Sequence, residues 1–361
     1  MEKTGAPVFS VSGNMLQQVS GEPLVDVVRG HLIESTHRVA LCASDARGSL
    51  LLSLGDVDKP VYLRSSAKPF IAAAVVASGA VERFGLEQAE IAVMSASHSG
   101  EPFHVVAVRA ILDKIGLDQT ALRCGAHPPY DAQAALNLER AGIAYSAVHN
   151  NCSGKHAGIL TLTRMLGADR ATYLEPGNPA QRAILDFCAR IMGDEAATWP
   201  LAIDGCSIPV FATSLHHAAR AFARMATLEE LSDQDAAALQ TVRAAMLAYP
   251  QYVSGTGEFD TVLIECAEGK LVCKAGAEGV HGDALIGLGA GLAVKIIDGS
   301  KRAVAPAVLA ALHELGALGE RIEDQLTAFS HPTLHNHAGL AIGKIVARRA
   351  ILEQARRSLV W

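Results

Sequence analysis

With 361 residues, half of them apolar, the chain can bury a large core in one large or two modest domains. A net charge of −6 with no basic stripe argues against nucleic acid as a partner. No stretch reaches the roughly 20 apolar residues of a membrane span. Seven cysteines, an odd number spread along the chain, do not suggest a disulfide framework. Met1-Glu2-Lys3-Thr4 leads into mixed sequence without the apolar stretch of a signal peptide, so a soluble, cytoplasmic protein is expected.

The first sixty residues read as strands. Residues 24–28, 38–43 and 50–54 are short and apolar, and Ser44-Asp45-Ala46-Arg47-Gly48 is a hairpin turn between the last two. Apolar residues at three-and-four spacing then predict helices over 66–79, 101–115 and 131–141, each closed near a glycine. Further helices are predicted at 153–166, 179–192, 213–225 and 232–248. After Gly257 strands return at 261–266, 271–274 and 292–297, the first two joined by the turn Ala267-Glu268-Gly269-Lys270. A helix at 304–315 and a basic amphipathic tail over 342–359 complete the chain.

Strands at both ends around a helical middle suggest an α/β (α+β) fold with one mainly antiparallel sheet built from both termini and covered by helices. No polar linker marks a boundary. The chain is expected to be a single unit over 1–361, with sheet-forming regions at about 1–65 and 255–361 and a mostly helical part at about 66–254. A ligand cleft is expected between the sheet and the helical part.

Five blocks concentrate polar and small residues where a plain helix or strand would not. Arg64-Ser65-Ser66-Ala67-Lys68-Pro69-Phe70 carries the spacing S-x-x-K, which in a helix sets Ser65 and Lys68 on one face. A serine hydroxyl needs an adjacent base, and lysine serves only where its surroundings keep it neutral. The same four residues also suit a helix cap, with Pro69 in the first turn. The second block is Ser95-Ala96-Ser97-His98-Ser99-Gly100-Glu101, and the third His149-Asn150-Asn151-Cys152-Ser153-Gly154-Lys155-His156-Ala157-Gly158. Asp204-Gly205-Cys206-Ser207-Ile208-Pro209 and Lys274-Ala275-Gly276-Ala277-Glu278-Gly279 follow. On residue type alone, Cys152 and Cys206 suit either zinc or plain packing, since two thiols fall short of the usual ligand count.

Taken in order, these blocks resemble the Rhizobium etli-type L-asparaginases, the class 3, metal-containing form of that activity, over nearly the whole chain to Asn336-His337-Ala338-Gly339. The resemblance implies a serine β-lactamase/glutaminase-like fold, a homodimer, and hydrolysis of the side-chain amide of L-asparagine to L-aspartate and ammonia. It implies two serine–lysine pairs, Ser65 with Lys68 and Ser97 with Lys274, beside a zinc ion on Cys152, Lys155 and Cys206. Asparagine is a zwitterion, so Arg64 is expected to bind its carboxylate and Asp204 its ammonium. His156, beside Lys155, is read as a substrate-binding residue or an alternative ligand, and His98 and Glu101 as supporting groups. The rival expectation is another S-x-x-K hydrolase, a penicillin-binding protein or serine β-lactamase, with Lys274-Ala275-Gly276 in place of K-T-G. No S-D-N lies at a suitable middle position for that rival.

Overall fold

A computed structural model describes residues 19–359. Its main sheet has eight strands: β1 (Glu22–Arg29), β2 (Leu32–Ser44), β3 (Leu50–Leu54), β7 (Leu271–Gly276), β8 (Val280–Leu285), β9 (Ala290–Ile296), β10 (Thr333–His335) and β11 (Ala341–Ala347). Between β3 and β7 the short strands β4 (Pro60–Tyr62), β5 (Leu201–Ile203) and β6 (Pro209–Ser214) form a separate three-stranded sheet in the order β4-β6-β5. The main order is β10-β11-β1-β2-β9-β8-β7, with β3 also on β2, and every pairing is antiparallel.

The two ends of the chain meet inside this sheet. Val25 of β1 pairs with Ala347 of β11, and Val39 of β2 with Ile296 of β9. Long β2 holds the sheet together, because its second half pairs with both β3 and β9. That half, Val39 to Ala43, is apolar and fully buried, as a strand covered on both faces requires.

Helices flank the sheet. Leu215–Thr227 lies on β2, β8 and β9, close enough that a side chain at Gly291 would collide with the backbone of Ala219 and Ala223. Val304–Glu314 and Arg349–Arg357 pack on each other and cover further strands. The helical part centres on Lys68–Ala77, an apolar helix packed by Ser153–Met165, Pro179–Met192 and Asp233–Ala248. Among the described residues, no helix is long and apolar enough to cross a membrane.

The predicted helices at 179–192 and 232–248 match Pro179–Met192 and Asp233–Ala248 closely. Three readings are corrected. Residues 261–266 are not a strand but most of the helix Phe259–Cys266, because a short apolar run fits either period and burial of Thr261, Leu263 and Ile264 follows the helical one. The turn at 267–270 therefore joins a helix to β7. The tail is not one amphipathic helix: residues 341–347 add a strand beside β1, and the helix begins only at Arg349. Strands β4, β5, β6, β8 and β10 were not foreseen, β4, β5 and β10 being three residues long and β8 carrying His281 and Asp283 in an otherwise apolar setting.

Candidate active site

Ser65 sits in a 3-10 turn, Arg64–Ala67, that runs directly into the helix beginning at Lys68. The Lys68 backbone N–H donates to the Ser65 carbonyl, so the turn stacks the two residues at S-x-x-K spacing. Arg64 adopts the left-handed region (φ 52°), a strained conformation for a long side chain next to a candidate nucleophile. The end of β7 packs against this turn. A Cβ at Gly276 would stand 2.7 Å from the Leu63 carbonyl oxygen and 3.1 Å from the Ser66 nitrogen, so glycine permits the approach.

Lys68 is fully buried, and no carboxylate pairs with it among the described residues. Its Nζ donates to the Ala96 carbonyl (2.5 Å), Ser97 Oγ (3.0 Å) and Cys152 Sγ (3.2 Å). Three acceptors match the three protons of an ammonium; without one proton, the amine is free to take another from a neighbouring hydroxyl. Burial pushes Lys68 down to about 8, opposed by Cys152 and assisted by the charges of Lys155 and Lys274. The expected pairing is thus rearranged: Lys68 bonds Ser97, and no side-chain hydrogen bond joins it to Ser65 among the described residues.

Lys274 is not hydrogen-bonded to Ser97. Fully buried on β7, it lies 3.4 Å from Asp260 Oδ2 and donates to the Ala275 carbonyl at 2.8 Å. Asp260, in the first turn of Phe259–Cys266, also bonds His281 (3.2 Å), which in turn meets Asp283 at 3.0 Å. Sequence reasoning missed these three residues. Reading 261–266 as a strand hid the helix start that carries Asp260, and the H-x-D spacing at 281–283, two apart on one strand face, was the available signal.

Cys152, at the cap of Ser153–Met165, and Cys206, in the turn before β6, face each other although 54 residues apart. Lys155, within the first turn of that helix, donates to Cys206 Sγ at 3.1 Å and lies 3.8 Å from Asp204. The hydrogen bond with Cys206 lowers Cys152, against its burial, and the charges of Lys68 and Lys155 add to this, so Cys152 is the thiolate of the pair. Cys206 is raised by that same bond and by burial. Burial works against charge on Lys155, but Cys152, Cys206 and Asp204 outweigh it and raise the ammonium above its ordinary range. Two thiols and an amine around one point suit a soft or borderline metal ion, which would have to displace the Lys155 proton to gain that ligand.

Arg64 and Asp204, expected as two substrate anchors, bond each other at 2.8 Å. Burial alone would raise the Asp204 carboxyl; Lys155 and Arg64 hold it below its usual range. Arg64 of this pair and Ser207, three residues after Asp204, both have a positive φ (52° and 73°). His156 points its Nδ1 at the Tyr173 hydroxyl (2.8 Å), and its buried Nε2 has no side-chain or backbone partner. Burial keeps His156 well below the ordinary histidine range, so it is neutral. His98 meets Ser153 Oγ at 2.8 Å, and Glu101 accepts from Ser99 (2.8 Å) and the Thr256 N–H (2.9 Å).

A buried lysine on a serine, a thiol pair and an ion pair are gathered at this one place. Residues 25–347 match the family model for L-asparaginase II, and the chain belongs to that family. No curated protein matches the chain. Among solved structures it is similar to a β-lactamase from Mycobacterium bovis, at 14% identity and TM-score 0.40, covering 81% of this chain and 95% of that one. It is also similar to Mglu, at 13% identity and TM-score 0.35 over 78% of this chain and 67% of that one. A second Mglu structure, native and in 4.3 M NaCl, gives 15% and 0.35 over 83% and 66%.

Proposed function

We propose that the protein is an L-asparaginase of the metal-containing class 3 (Rhizobium etli) type, hydrolysing the side-chain amide of L-asparagine through serine and lysine, with a fold akin to serine β-lactamases and glutaminases. The observation that carries this reading is Lys68: a buried amine without a carboxylate partner, bonded to Ser97 and one turn from Ser65. An amine whose burial favours the neutral form can act as a base toward a serine hydroxyl.

Ser65 is the attacking hydroxyl. Among the described residues it alone of the two serines has no side-chain hydrogen bond, and it adjoins Arg64. Its Oγ bonds to the amide carbon while its proton passes to Lys68. Collapse of the tetrahedral intermediate breaks the C–N bond, and the nitrogen leaves as ammonia with a proton delivered from Lys68 through Ser97. Water then attacks the ester carbon, gives its proton to Lys68, and releases aspartate as Ser65 regains its hydrogen. Arg64 and Asp204 take the α-carboxylate and α-ammonium, the zwitterion replacing their bond to each other with two of the same kind. His156, next to Lys155 on the same helix and held by Tyr173, is the third substrate-binding residue, a neutral donor or acceptor.

Cys152, Lys155 and Cys206 fit a zinc ion as a set of two thiols and an amine. Zinc there would keep both thiols ionised and fix the Asp204–Cys206 turn beside the substrate. A homodimer in the cytoplasm belongs to the same reading. Purified protein should release ammonia from L-asparagine. Opening of nitrocefin without ammonia release from asparagine would instead favour the β-lactamase reading.

A further inference from the structure

Behind Lys274 lies a closed set of buried charges that the proposed chemistry does not use. Asp260 Oδ2 faces Lys274 Nζ (3.4 Å) and accepts the Ala275 N–H (2.8 Å), while Asp260 Oδ1 faces His281 Nε2 (3.2 Å). His281 Nδ1 faces Asp283 Oδ2 (3.0 Å), and Asp283 Oδ1 has no partner. All four residues are at most 2% exposed. They come from the helix Phe259–Cys266 and from paired strands β7 and β8, where Ala275 stands opposite His281 and Cys273 opposite Asp283.

Buried charges persist only when paired. Two carboxylates balance one ammonium and one imidazolium, so the set is neutral when Lys274 and His281 both carry a proton. The groups facing His281 are Asp260, Asp283 and Cys273, with the Phe259 ring at 5.5 Å. Burial disfavours its charge, but Asp283 and Asp260 outweigh that and raise it well above the ordinary histidine range, while burial raises the Asp283 carboxyl against the pull of His281. Asp260, Cys273 and His281 also have the residue types and proximity of a metal site. Burial, however, pushes the Cys273 thiol up to about 12, and Cys273 Sγ donates to the Asp260 carbonyl (3.7 Å). A proton, not a metal ion, is the occupant that balances the set.

We propose that Asp260, His281 and Asp283 are positioning residues for Lys274, a buried chain of ion pairs that holds its amine against Asp260 and leaves Lys68 as the amine on Ser97. The division of labour rests on the asparaginase reading; the protonation of His281 does not. The two lysines differ in their partners: a carboxylate at Lys274, and a carbonyl, a hydroxyl and a thiol at Lys68.

Histidine-ring NMR on the full chain tests the chain without substrate. The signal lost in His281→Gln should show both ring nitrogens protonated from about pH 6 to about pH 8, and in Asp283→Asn it should titrate inside that window. A neutral His281 in the wild type at pH 7, or a shift of its signals on adding zinc chloride, would overturn the proposal. With L-asparagine, Asp283→Asn should lower kcat about 10-fold and Asp260→Asn about 100-fold, with KM changed by less than about threefold. Asp260→Glu, which keeps the charge, should recover part of the loss. A change in KM alone, or no difference between Asp260→Glu and Asp260→Asn, would also overturn it. Should Asp260→Asn fail to fold, Asp283→Asn carries the test, since its side chain bonds only His281 among the described residues. Absence of ammonia release by the wild type would count against the asparaginase reading and leave the ring measurement standing.

Discussion

The Lys68 amine donates to Cys152 Sγ at 3.2 Å, and this contact joins the serine machinery to the thiol pair. The proposed base and the proposed metal site are therefore neighbours, and a change at either is felt by the other. Each can still be separated by the substitutions below.

Ser65→Ala should reduce asparagine turnover to less than about a thousandth of wild type, because no other hydroxyl replaces the nucleophile. Ser97→Ala should cost about 100-fold, the low end of the usual worth of a positioned proton-transfer group. Mass spectrometry of enzyme quenched during turnover of a slow ester or hydroxamate substrate locates the acyl group. An adduct on the Ser97 peptide would reverse the roles.

Lys68→Met should abolish turnover without destabilising the protein. The methionine fills nearly the same volume, and it removes an amine that burial disfavours in a helix otherwise lined by Phe70, Ile71 and alanines. Thermal unfolding at neutral pH should give a Tm equal to or above wild type. A fall of more than about 5 °C, the scale of about 4 kcal/mol in a chain this long, would make Lys68 a structural residue.

Cys152→Ser should lower zinc content far more than Cys266→Ser, since Cys266 ends the Phe259–Cys266 helix away from the site. Chelation should raise KM more than it lowers kcat, because the proposed ligand Cys206 stands two residues from Asp204 whereas neither serine is a ligand. Elemental analysis and kinetics on chelated enzyme check both statements. Full occupancy in Cys152→Ser would refute the ligand set.

Asp194 gives a stability prediction remote from the chemistry. Burial alone would raise its carboxyl, but hydrogen bonds from Trp199 (2.6 Å) and Thr213 (2.7 Å) prevail and bring it to about 2 from 3.8. A carboxylate held below its unfolded value stabilises the fold above that value and loses the contribution as pH falls toward about 2. Asp194→Asn should therefore lower Tm at pH 7, with the gap to wild type closing between about pH 4 and about pH 2. A gap independent of pH would rule the ionised carboxylate out as its cause.

What could be read in the sequence depended on distance along the chain. Periodicity revealed the long helices, and the blocks around Ser65, Ser97, Cys152 and Cys206 were visible because small polar residues interrupt apolar patterns. Contacts between blocks were not. That Lys68 meets Ser97 and Cys152 while Lys274 meets Asp260 follows from how β7 packs against the Arg64–Ala67 turn, which no local spacing encodes. Asp260 was lost for a different reason: a run such as Thr261-Val262-Leu263-Ile264 has β-branched residues that mimic a strand, and only its burial pattern reveals the helix.

The pairing of β1 with β11 also sets a timetable for the molecule's birth. Val25 leaves the ribosome more than three hundred residues before its neighbour Ala347 exists, so for nearly all of translation one side of β1 has no strand to bond. Lys274 and its strand emerge late as well, after both serines, Lys68 and both cysteines of the thiol pair have been made. A nascent chain is thus an inert assembly of helices with an open, adhesive strand, dependent on chaperones or on slow emergence to avoid joining another copy. The sheet is complete only when β11 has joined β1, long after the helices that carry Lys68 and Cys152 have been made.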